Sequence, residues 1–520
     1  MKSNKTALFI ILAVSIILLF SFLGKISVFQ VAEARNAECA NEMFARHDWI
    51  TPVFNGQLRT DKPALEYFAM ITAYHLFGVN EFSARFFSAV CGLLVVLCTF
   101  LFTKRHFGQN AAVWTSIVLL SSIHAIIQFR LATPDPYLIL AHVLSLYCFW
   151  EGWQSGKWRW YAAMYLLLGL GVLAKGPVGL LLPALTIALF LLLKKKLSWN
   201  VIKEAKPWYG IILALAVCLP WYLLVHFKTG GAWTTGFFME HNVGRFDKAV
   251  DGHSGFFLLP LVFVFLGMFP FSVFSVRTFS WVWKERKQND LLFFLLVAAT
   301  SIVIFYSFSS TKLLNYTTPA YPFLAILIGC WLNKVSGQPI KASFEWAFIT
   351  LIAIAIPVGT YLWSANTDPV KDIAWIAYPL AILPAGVLLA ILSKQSLLRR
   401  SLLVAVASMC TTFLLFSVSF PALDKHTVFR MHKQELKQGE EVVAYKKFND
   451  GFVFYNGHPI PVVNSQEELD SFLNKYHHLV VLSTTKNDFD ELNKNHRLHL
   501  QSKVRDLFSS KYSAIYFQLN

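Results

Sequence analysis

Charged residues are scarce in this chain of 520 residues. Only 15% are Asp, Glu, Lys or Arg, whereas 56% are hydrophobic, and the mean hydropathy is +0.50. Soluble globular proteins carry roughly 25% charged residues. The composition therefore excludes an ordinary soluble protein and predicts a membrane protein with many apolar helices.

Cysteine is also sparse and irregularly placed. Six of the seven cysteines lie inside apolar segments, and only Cys39 lies in a polar loop. This distribution excludes a disulfide framework and a zinc motif built on paired cysteines. The first apolar segment, residues 7–23, lacks the small-residue cleavage signature of a signal peptide, so we expect it to be retained as a membrane helix.

Acidic residues are fewer than basic ones, and the formal net charge is +16. Many of the basic residues lie in short loops between apolar segments. The main clusters are Lys104-Arg105, Lys194-Lys195-Lys196, Arg277 with residues 284–287, and Arg399-Arg400. The positive-inside rule explains these clusters better than nucleic-acid binding does, so no nucleic-acid partner is expected.

Apolar stretches long enough to cross a bilayer predict about thirteen transmembrane helices. They lie near residues 7–24, 83–103, 111–129, 135–150, 160–174, 177–193, 208–227, 255–274, 291–308, 317–333, 344–363, 373–392 and 401–420. With a cytoplasmic N-terminus, every basic cluster falls on the cytoplasmic side. The opposite face then receives the loops 25–82, 130–135, 174–176, 228–254, 309–316 and 364–372 and the C-terminal tail.

The tail differs in character from the rest of the chain. Apolar runs at 441–445 and 479–482 predict strands, and the residues from Ser465 onward predict a capped helix. The expected organisation is a transmembrane domain over residues 1–422 and a small extracytoplasmic α/β domain over 423–520. The tail shows no catalytic constellation.

The predicted outer loops collect the unusual ionisable residues. Glu33, Arg35, Glu38 and Glu42 follow one another in a predicted interfacial helix over residues 32–46. Spacings of three to five residues place several of them on neighbouring faces of that helix. A solvated amphipathic helix and a functional surface both fit this pattern.

Asp61-Lys62-Pro63 leads into a second amphipathic segment over residues 64–77. Lys62 offers a point charge that suits a phosphate, and a surface ion pair is the alternative. Asp135 lies between two prolines at the start of a predicted helix. A carboxylate there either caps the helix or serves a functional site.

Three further loops carry basic or metal-ligating side chains. Residues 240–253 contain two histidines, three carboxylates and an arginine, a density that suits a metal ion or an anionic headgroup. Lys312 and Tyr316 border a predicted span, where snorkelling is the alternative role for the lysine. The basic residues predicted to lie together at this face, and to neutralise one or two phosphates, are Lys62, Lys175, Arg245 and Lys312.

Short motifs follow one another along the outer loops in a recognisable order. They are Arg35 with Glu38 and Met43, Asp48-Trp49-Ile50-Thr51-Pro52, Asn55-Gly56, Asp61-Lys62-Pro63, Thr133-Pro134-Asp135-Pro136, Ala174-Lys175-Gly176-Pro177, Gly244-Arg245-Phe246 with His253, and Lys312-Leu313 with Tyr316 and Pro319. This order resembles the GT-C fold glycosyltransferases of the aminoarabinose-transferase type, which are related to the protein O-mannosyltransferases. The resemblance implies a mainly α, polytopic membrane fold with a small C-terminal α/β domain.

The resemblance also implies an activity. Such enzymes take a sugar from a polyprenyl-phosphate carrier and pass it, usually with inversion, to a lipid A-like, glycan or protein acceptor outside the inner membrane. The expected partners are the lipid-linked donor, the acceptor and membrane lipids. The displacement needs a base or an anionic acceptor on one side of the sugar, and a group that stabilises the departing phosphate on the other.

Roles follow from the resemblance residue by residue. Lys62 would contact the donor phosphate, with Arg245 and Lys312 as further candidates, and Arg35 and Tyr316 match pocket positions. Asp135 matches an acidic residue of the second outer loop. Asp61, which stands where Glu is common, and His253 match positions that hold a divalent cation, Zn²⁺ or Mg²⁺.

One departure from the family pattern concerns the catalytic base. The family usually opens its first loop with Asp-Glu, and its Asp is the proposed base, whereas this chain has Ala32-Glu33. Three explanations are open: Glu33 takes the role, the acceptor is a phosphate that needs no base, or the enzyme is inactive. We favour Glu33, because a carboxylate beside cationic groups stays ionised and can accept a proton.

Two other classes of protein compete with the enzyme. A transporter or flippase for lipid-linked sugars would explain many helices without catalysis, but transporters usually place polar residues at the bilayer midplane in paired repeats. A scaffold or sensor anchored in the membrane would need far fewer spans. The polar residues of this chain cluster at one predicted face, which favours the enzyme.

Overall fold

The computed structural model describes residues 2–28, 30–244, 255–338, 342–432, 441–506 and 511–519. The first half of the chain is mainly helical. Its helices are α1 (Lys2–Phe20), α2 (Val31–Ala45), α3 (Leu65–Phe77), α4 (Glu81–Phe107), α5 (Gln109–Ser121), α6 (Ile123–Gln128), α7 (Asp135–Ser155), α8 (Trp158–Lys175), α9 (Val178–Leu193), α10 (Trp199–Ala205), α11 (Pro207–Lys228) and α12 (Ala232–Thr235). A short hairpin of β1 (Val53–Phe54) and β2 (Gln57–Leu58) lies between α2 and α3.

The second half continues with helices and ends in a sheet. The helices are α13 (Leu259–Gly267), α14 (Ser275–Glu285), α15 (Asp290–Phe308), α16 (Tyr321–Lys334), α17 (Ser343–Ala365), α18 (Ile382–Leu392), α19 (Leu397–Leu414), α20 (Phe420–Asp424), α21 (Val428–Met431), α22 (Gly451–Asn456), α23 (Gln466–Lys475) and α24 (Lys486–Leu492). Short 3₁₀ segments cover Phe271–Phe274, Leu314–Ala320 and Lys371–Ala381, and π-helical turns cover Gly236–Val243 and Leu415–Ser419. The strands are β3 (Glu441–Tyr445), β4 (Val462–Val463), β5 (Leu479–Ser483), β6 (Leu498–Arg505) and β7 (Tyr512–Gln518).

Six helical stretches among the described residues are long and apolar enough to cross a membrane, which makes the chain a multi-pass membrane protein. They are Glu81–Phe107, Trp199–Lys228, Asp290–Phe308, Ser343–Ala365, Lys371–Leu392 and Leu397–Asp424. Two further helices, Lys5–Phe20 and Val178–Leu193, are apolar but shorter. The number of about thirteen spans stays a prediction.

One predicted span has a different shape. The sequence predicts a single helix over residues 255–274, whereas the chain forms α13 and then turns by 117° before continuing through the 3₁₀ segment into α14. Pro270 lies in the break between the two helices and cannot donate a backbone hydrogen bond. This region is therefore a broken span or a re-entrant loop and not one continuous helix.

Charged side chains pair at both ends of the helical bundle. At one end, Arg105 and His106 contact Glu151 at 3.1 and 2.7 Å, and Lys334 contacts Glu285 at 2.8 Å. These pairs lie in the loops that the sequence assigns to the cytoplasmic side. The carboxylates and cations of the opposite set of loops meet at the other end, where they form the site described below.

The α8–α9 hairpin brings two helices into backbone contact. Gly171 and Gly179 face each other so closely that a Cβ on Gly179 would lie 2.1 Å from the carbonyl carbon of Gly171. Small residues permit this approach between membrane helices. The turn of the hairpin carries Lys175, so the glycine contact helps to fix the position of that lysine.

The C-terminal part forms a five-stranded mixed sheet in the order β4-β3-β5-β7-β6. Strands β3, β4 and β5 are parallel. The two runs predicted as strands form β3 and β5, and Ser465 caps α23 by accepting the Glu468 N–H at 3.2 Å. The boundary at residue 422/423 stays a prediction.

The sheet domain packs directly on the first outer loop. Apolar side chains of α2 and α3 share one buried cluster with side chains of β3, α22 and β5. Polar contacts lock the same interface: the Val28 N–H donates to the Tyr455 hydroxyl at 2.8 Å, and Asn55 Nδ2 donates to the Ile460 carbonyl at 3.0 Å. The domain is therefore held against α2 by both apolar and polar contacts.

Gly179→Ala is expected to destabilise the bundle, because the new methyl group would force α8 and α9 apart. Overpacking of this kind costs about 1–3 kcal/mol. Thermal unfolding of the purified protein in detergent measures the loss. Gly359→Ala is the control, since a Cβ there meets nothing within 4 Å, and it should leave the unfolding temperature unchanged or raise it. Equal unfolding temperatures for the two variants would contradict the packing account.

Candidate functional site

A largely buried ion pair forms the centre of the bundle end that the sequence assigns to the outer face; we call this the outer end. Asp135, the first residue of α7, accepts a hydrogen bond from Lys175 Nζ at 2.6 Å through Oδ1 and from Asn315 Nδ2 at 3.1 Å through Oδ2. The Lys175 ammonium also lies 4.9 Å from the centre of the Tyr316 ring, within cation–π range. Three separate loops thus meet at one point.

A second group of charges surrounds Asp61. Its Oδ1 lies 2.9 Å from His241 Nε2, and its Oδ2 lies 3.5 Å from Arg59 Nε. Burial raises the pKa of Asp61, but the His241 hydrogen bond and the Arg59 charge outweigh burial and bring the pKa below its ordinary value. Asp61 is therefore ionised throughout the neutral range.

Arg59 connects this group to α2. It is buried, its Nη2 donates to Asn36 Oδ1 at 2.7 Å, and its carbonyl accepts the Trp233 indole N–H at 2.9 Å. The sequence motifs did not single out Arg59. Its position two residues before Asp61, in the loop entering α3, is the signal that would have found it.

Glu66 lies between the two groups. Its side chain is fully buried, and neither carboxylate oxygen makes a hydrogen bond within the described structure. Burial raises the pKa of Glu66; the charges of Arg59 and Lys62 oppose the rise. Asp135 and Lys175 also act on Glu66, so the charges from both groups meet at this carboxyl group.

We call these residues the outer charged cluster; its members are Arg59, Asp61, Lys62, Glu66, Asp135, Lys175 and His241. Burial favours the protonated form of Glu66, which leaves Arg59, Lys62 and Lys175 facing the carboxylates of Asp61 and Asp135. The excess positive charge in a buried setting suits an anionic ligand such as a phosphate.

Glu33 has a different environment from the one expected of a base. Its carboxylate forms a bidentate pair with Arg85, Oε1 to Nε at 2.7 Å and Oε2 to Nη2 at 2.8 Å. Oε1 also accepts the Ala132 N–H at 2.9 Å, and the side chain is 1% exposed. These contacts occupy both oxygens and give Glu33 a structural role in joining α2 to α4.

The remaining predicted site residues are distributed as follows. Arg35 contacts Asp450 of the sheet domain, and Lys312 is buried with its ammonium 2.6 Å from the Ser309 carbonyl. Arg245 and His253 lie outside the described residues, so their roles stay predictions. The residues that the structure brings together from the predicted set are Asp61, Lys62, Asp135, Lys175 and Tyr316.

A divalent cation at Asp61 also stays a prediction. The described residues contain no group of three or more His, Cys, Asp or Glu side chains placed to hold a metal ion. The histidine beside Asp61 in this structure is His241. The donor set described here is incomplete for a protein-held cation, and no step below depends on one.

Glu38 and Glu42 lie one helical turn apart on α2. The Glu42 carboxylate accepts the backbone N–H groups of Asn55 and Gly56 and so holds the β1–β2 turn. Glu38 is buried, and burial raises its pKa to about 8. Asn41 donates to its Oε2 at 3.1 Å, whereas Oε1 has no hydrogen-bond partner.

Glu33→Gln should destabilise the protein, because it leaves the buried Arg85 guanidinium without a counter-charge. Removing one partner of a buried pair costs about 3–5 kcal/mol. Thermal unfolding in detergent measures this loss, and a Glu33→Gln/Arg85→Gln double variant should recover part of it. A Glu33→Gln protein that unfolds like the wild type but cannot catalyse transfer would instead identify Glu33 as the base.

Glu38→Gln should change how stability depends on pH. The folded pKa of about 8 lies above the ordinary value of 4.5, so the folded state holds the proton more tightly. The wild type should therefore lose stability relative to the variant as pH rises from about 4.5 to 8. Unfolding temperatures of both proteins across that range test this, with the exposed Glu467→Gln as control. A difference between wild type and Glu38→Gln that stays constant with pH would contradict the prediction.

The sequence matches one protein-family model and several known proteins. Residues 61–223 match the family model described as dolichyl-phosphate-mannose-protein mannosyltransferase. An uncharacterized protein of Aquifex aeolicus is 27% identical over 86% of this chain and 85% of that protein. The undecaprenyl phosphate-alpha-4-amino-4-deoxy-L-arabinose arabinosyl transferase of Shewanella sediminis is 28% identical over 70% of this chain and 67% of its own length.

The fold comparison extends over the whole chain. The crystal structure of ArnT from Cupriavidus metallidurans bound to undecaprenyl phosphate superposes with a TM-score of 0.81 at 22% identity. The match covers 98% of this chain and 97% of that protein, including the C-terminal sheet domain. The predicted fold class is confirmed. The chain has the GT-C fold and is similar in sequence and fold to the ArnT-like membrane glycosyltransferases.

Proposed function

We propose that the protein transfers a sugar from a polyprenyl-phosphate carrier to an acceptor at the outer face of the membrane, and that the outer charged cluster holds the donor phosphate. The observation that carries this proposal is the set of cations at the helix ends, in which Arg59 is buried and Lys62 and Lys175 are half-buried. Lys175 is fixed by Asp135 and Tyr316, and Lys62 acts on both Asp61 and Glu66. The sequence relatives support a donor of this class, since one is named for undecaprenyl phosphate-linked aminoarabinose.

The geometry supports transfer in two ways. Cations held in place before the reaction stabilise the negative charge that develops on the departing phosphate, and they need no rearrangement as that charge appears. Asp135 holds the Lys175 ammonium by a 2.6 Å hydrogen bond, while Tyr316 restricts it from another side. The sugar would then be displaced in line with its bond to the phosphate, with inversion.

The sidedness of the site belongs to the same proposal. The N-terminus lies in the cytoplasm, the outer charged cluster and the sheet domain lie in the periplasm, and the inner membrane contains the helices. The distribution of Lys and Arg supports this orientation. The acceptor is a lipid A-like, glycan or protein group that reaches the cluster from the outside.

A transporter fits the arrangement less well. Transporters bind their substrates near the bilayer midplane between paired repeats. Here the charges lie at helix ends and in loops, beneath a domain that packs on α2. The transfer reaction is therefore the better account of the cluster.

Lys175→Met should weaken donor use, because it removes a charge-assisted contact to the phosphate. Such contacts are worth about 1.5–3 kcal/mol, which corresponds to a roughly 10- to 100-fold lower kcat/KM for the donor. The assay combines synthetic polyprenyl-phosphate sugars with a membrane lipid extract and identifies products by mass spectrometry. Lys371→Met is the matched control, since the Lys371 side chain is 59% exposed in a surface pair.

If Lys175→Met transferred sugar at the wild-type rate, the outer charged cluster would not be the binding site of the donor phosphate. Absence of transfer by the wild type across a broad panel of donors, with import or flipping of labelled lipid-linked sugar in vesicles, would support the transporter instead.

A further inference from the structure

The first turn of α2 lacks a carboxylate side chain free to act as a base. Ala32 is exposed there, and Glu33, the next residue, is buried in its pair with Arg85. A hydroxyl acceptor nevertheless needs a proton acceptor near this face. A second carboxylate reaches the same face from another part of the chain.

We propose that Asp450, contributed by the C-terminal sheet domain, is the general base of the transfer reaction. This inference rests on the proposed function and deepens it. Asp450 lies directly before α22, and its Oδ2 accepts a hydrogen bond from Arg35 Nε at 2.7 Å and lies 2.7 Å from Arg35 Nη2. The carboxylate is thus held against α2 by an ion pair.

The direction of the Arg35 side chain places the Asp450 carboxylate near the first turn of α2. Residues 32 and 35 are three apart on α2 and share a face of the helix. Long side chains on a helix lean toward its N-terminus and cover the preceding turn. The Arg35 guanidinium, with Asp450 attached, therefore lies over the turn that carries Ala32.

One oxygen of Asp450 is available for chemistry. Both Arg35 nitrogens contact Oδ2, and Oδ1 accepts no hydrogen bond from the residues that the structure describes. The side chains of Asp450 and Arg35 are 18% and 43% exposed. A hydroxyl group of an acceptor arriving from outside can thus reach Oδ1, whereas it cannot reach the buried Glu33.

Asp450 is held on a rigid support. Its helix α22 packs on α2, with Phe452 and Val453 buried among apolar side chains of α2, and the Tyr455 hydroxyl accepts the Val28 N–H at 2.8 Å. Catalytic groups need such support, because small displacements of a base from its proton are costly in rate.

The same turn of α2 is connected to the donor site. Asn36, next to Arg35, accepts a hydrogen bond from Arg59 at 2.7 Å, and Arg59 in turn lies 3.5 Å from Asp61. Arg35 and Asn36 lie in the same turn of α2, and the two contacts of Arg59 link that turn to the outer charged cluster. The base and the phosphate-binding cations would then approach the sugar from different elements.

The transfer moves one proton and exchanges one bond at the anomeric carbon. Asp450 Oδ1 takes the proton of the acceptor hydroxyl as the acceptor oxygen forms a bond to the anomeric carbon. The bond from that carbon to the phosphate oxygen breaks, and its electron pair leaves with the polyprenyl phosphate. The proton on Asp450 then passes to water.

The test uses the full-length protein in lipid nanodiscs with the transfer assay described above. Asp450→Asn should lower kcat by about 100-fold or more, the usual contribution of a general base, while KM for the donor stays the same. The acid side of the pH–rate profile should also disappear in this variant. Asp490→Asn, an exposed aspartate of the same domain, is the matched control and should behave like the wild type.

Recovery of kcat in a double variant distinguishes a catalytic base from a residue that only holds the sheet domain on α2. Ala32→Asp returns a carboxylate to the first turn of α2, so the Ala32→Asp/Asp450→Asn double variant should regain at least tenfold of the lost kcat. A structural role would not allow this recovery. Limited proteolysis of the sheet domain checks that Asp450→Asn keeps the domain docked.

Three outcomes would overturn the proposal. They are Asp450→Asn activity within threefold of the wild type, loss of activity that accompanies release of the sheet domain, and loss without rescue by Ala32→Asp. A wild-type protein that transfers no sugar would defeat the proposed function itself. An active wild type with any of the three outcomes defeats only the role of Asp450.

Discussion

At the outer end of this molecule, the packing of the helices depends on pairing each buried charge with a charge of opposite sign. Helix ends and loops exclude water from Asp135, Lys175, Glu33 and Arg85, and an uncompensated charge in such a setting costs several kcal/mol. Each of these side chains therefore has an oppositely charged partner on a different element. The pairs connect α2 with α4 and α7 with α8, so the same contacts that stabilise the bundle also place the cations that suit a phosphate.

The protonation of Glu66 sets the balance of charge in the outer charged cluster. Its carboxyl group is buried without a hydrogen-bond partner, and burial raises its pKa. A protonated Glu66 leaves the cations of the cluster in excess, whereas an ionised one would cancel them. The proposed affinity of the outer charged cluster for an anion would thus depend on the burial of Glu66 in α3 as well as on the lysines themselves.

The sequence predicted the architecture well because its signals are physical and local. Apolar length marked the six helical stretches that are long enough to cross a membrane, apolar runs marked β3 and β5, and Ser465 marked the start of α23. Side-chain partners were less accessible, since they depend on contacts between distant residues. Glu33 was expected to lie beside cationic groups and to act as the base, but its partner Arg85 lies 52 residues away in the chain and could not be identified from the sequence. The pairs of Asp61 with His241 and of Arg35 with Asp450 likewise became visible only in the fold.

The most direct measurement of the central claim is photo-crosslinking with a polyprenyl-phosphate analogue that carries a photoreactive group beside the phosphate. Mass spectrometry of the labelled protein would locate the phosphate. We expect labelled peptides to contain residues 59–66, 135 and 175, and we expect unlabelled polyprenyl phosphate to compete. Labelling confined to the opposite end of the bundle, around Glu151 or Lys334, would contradict the account.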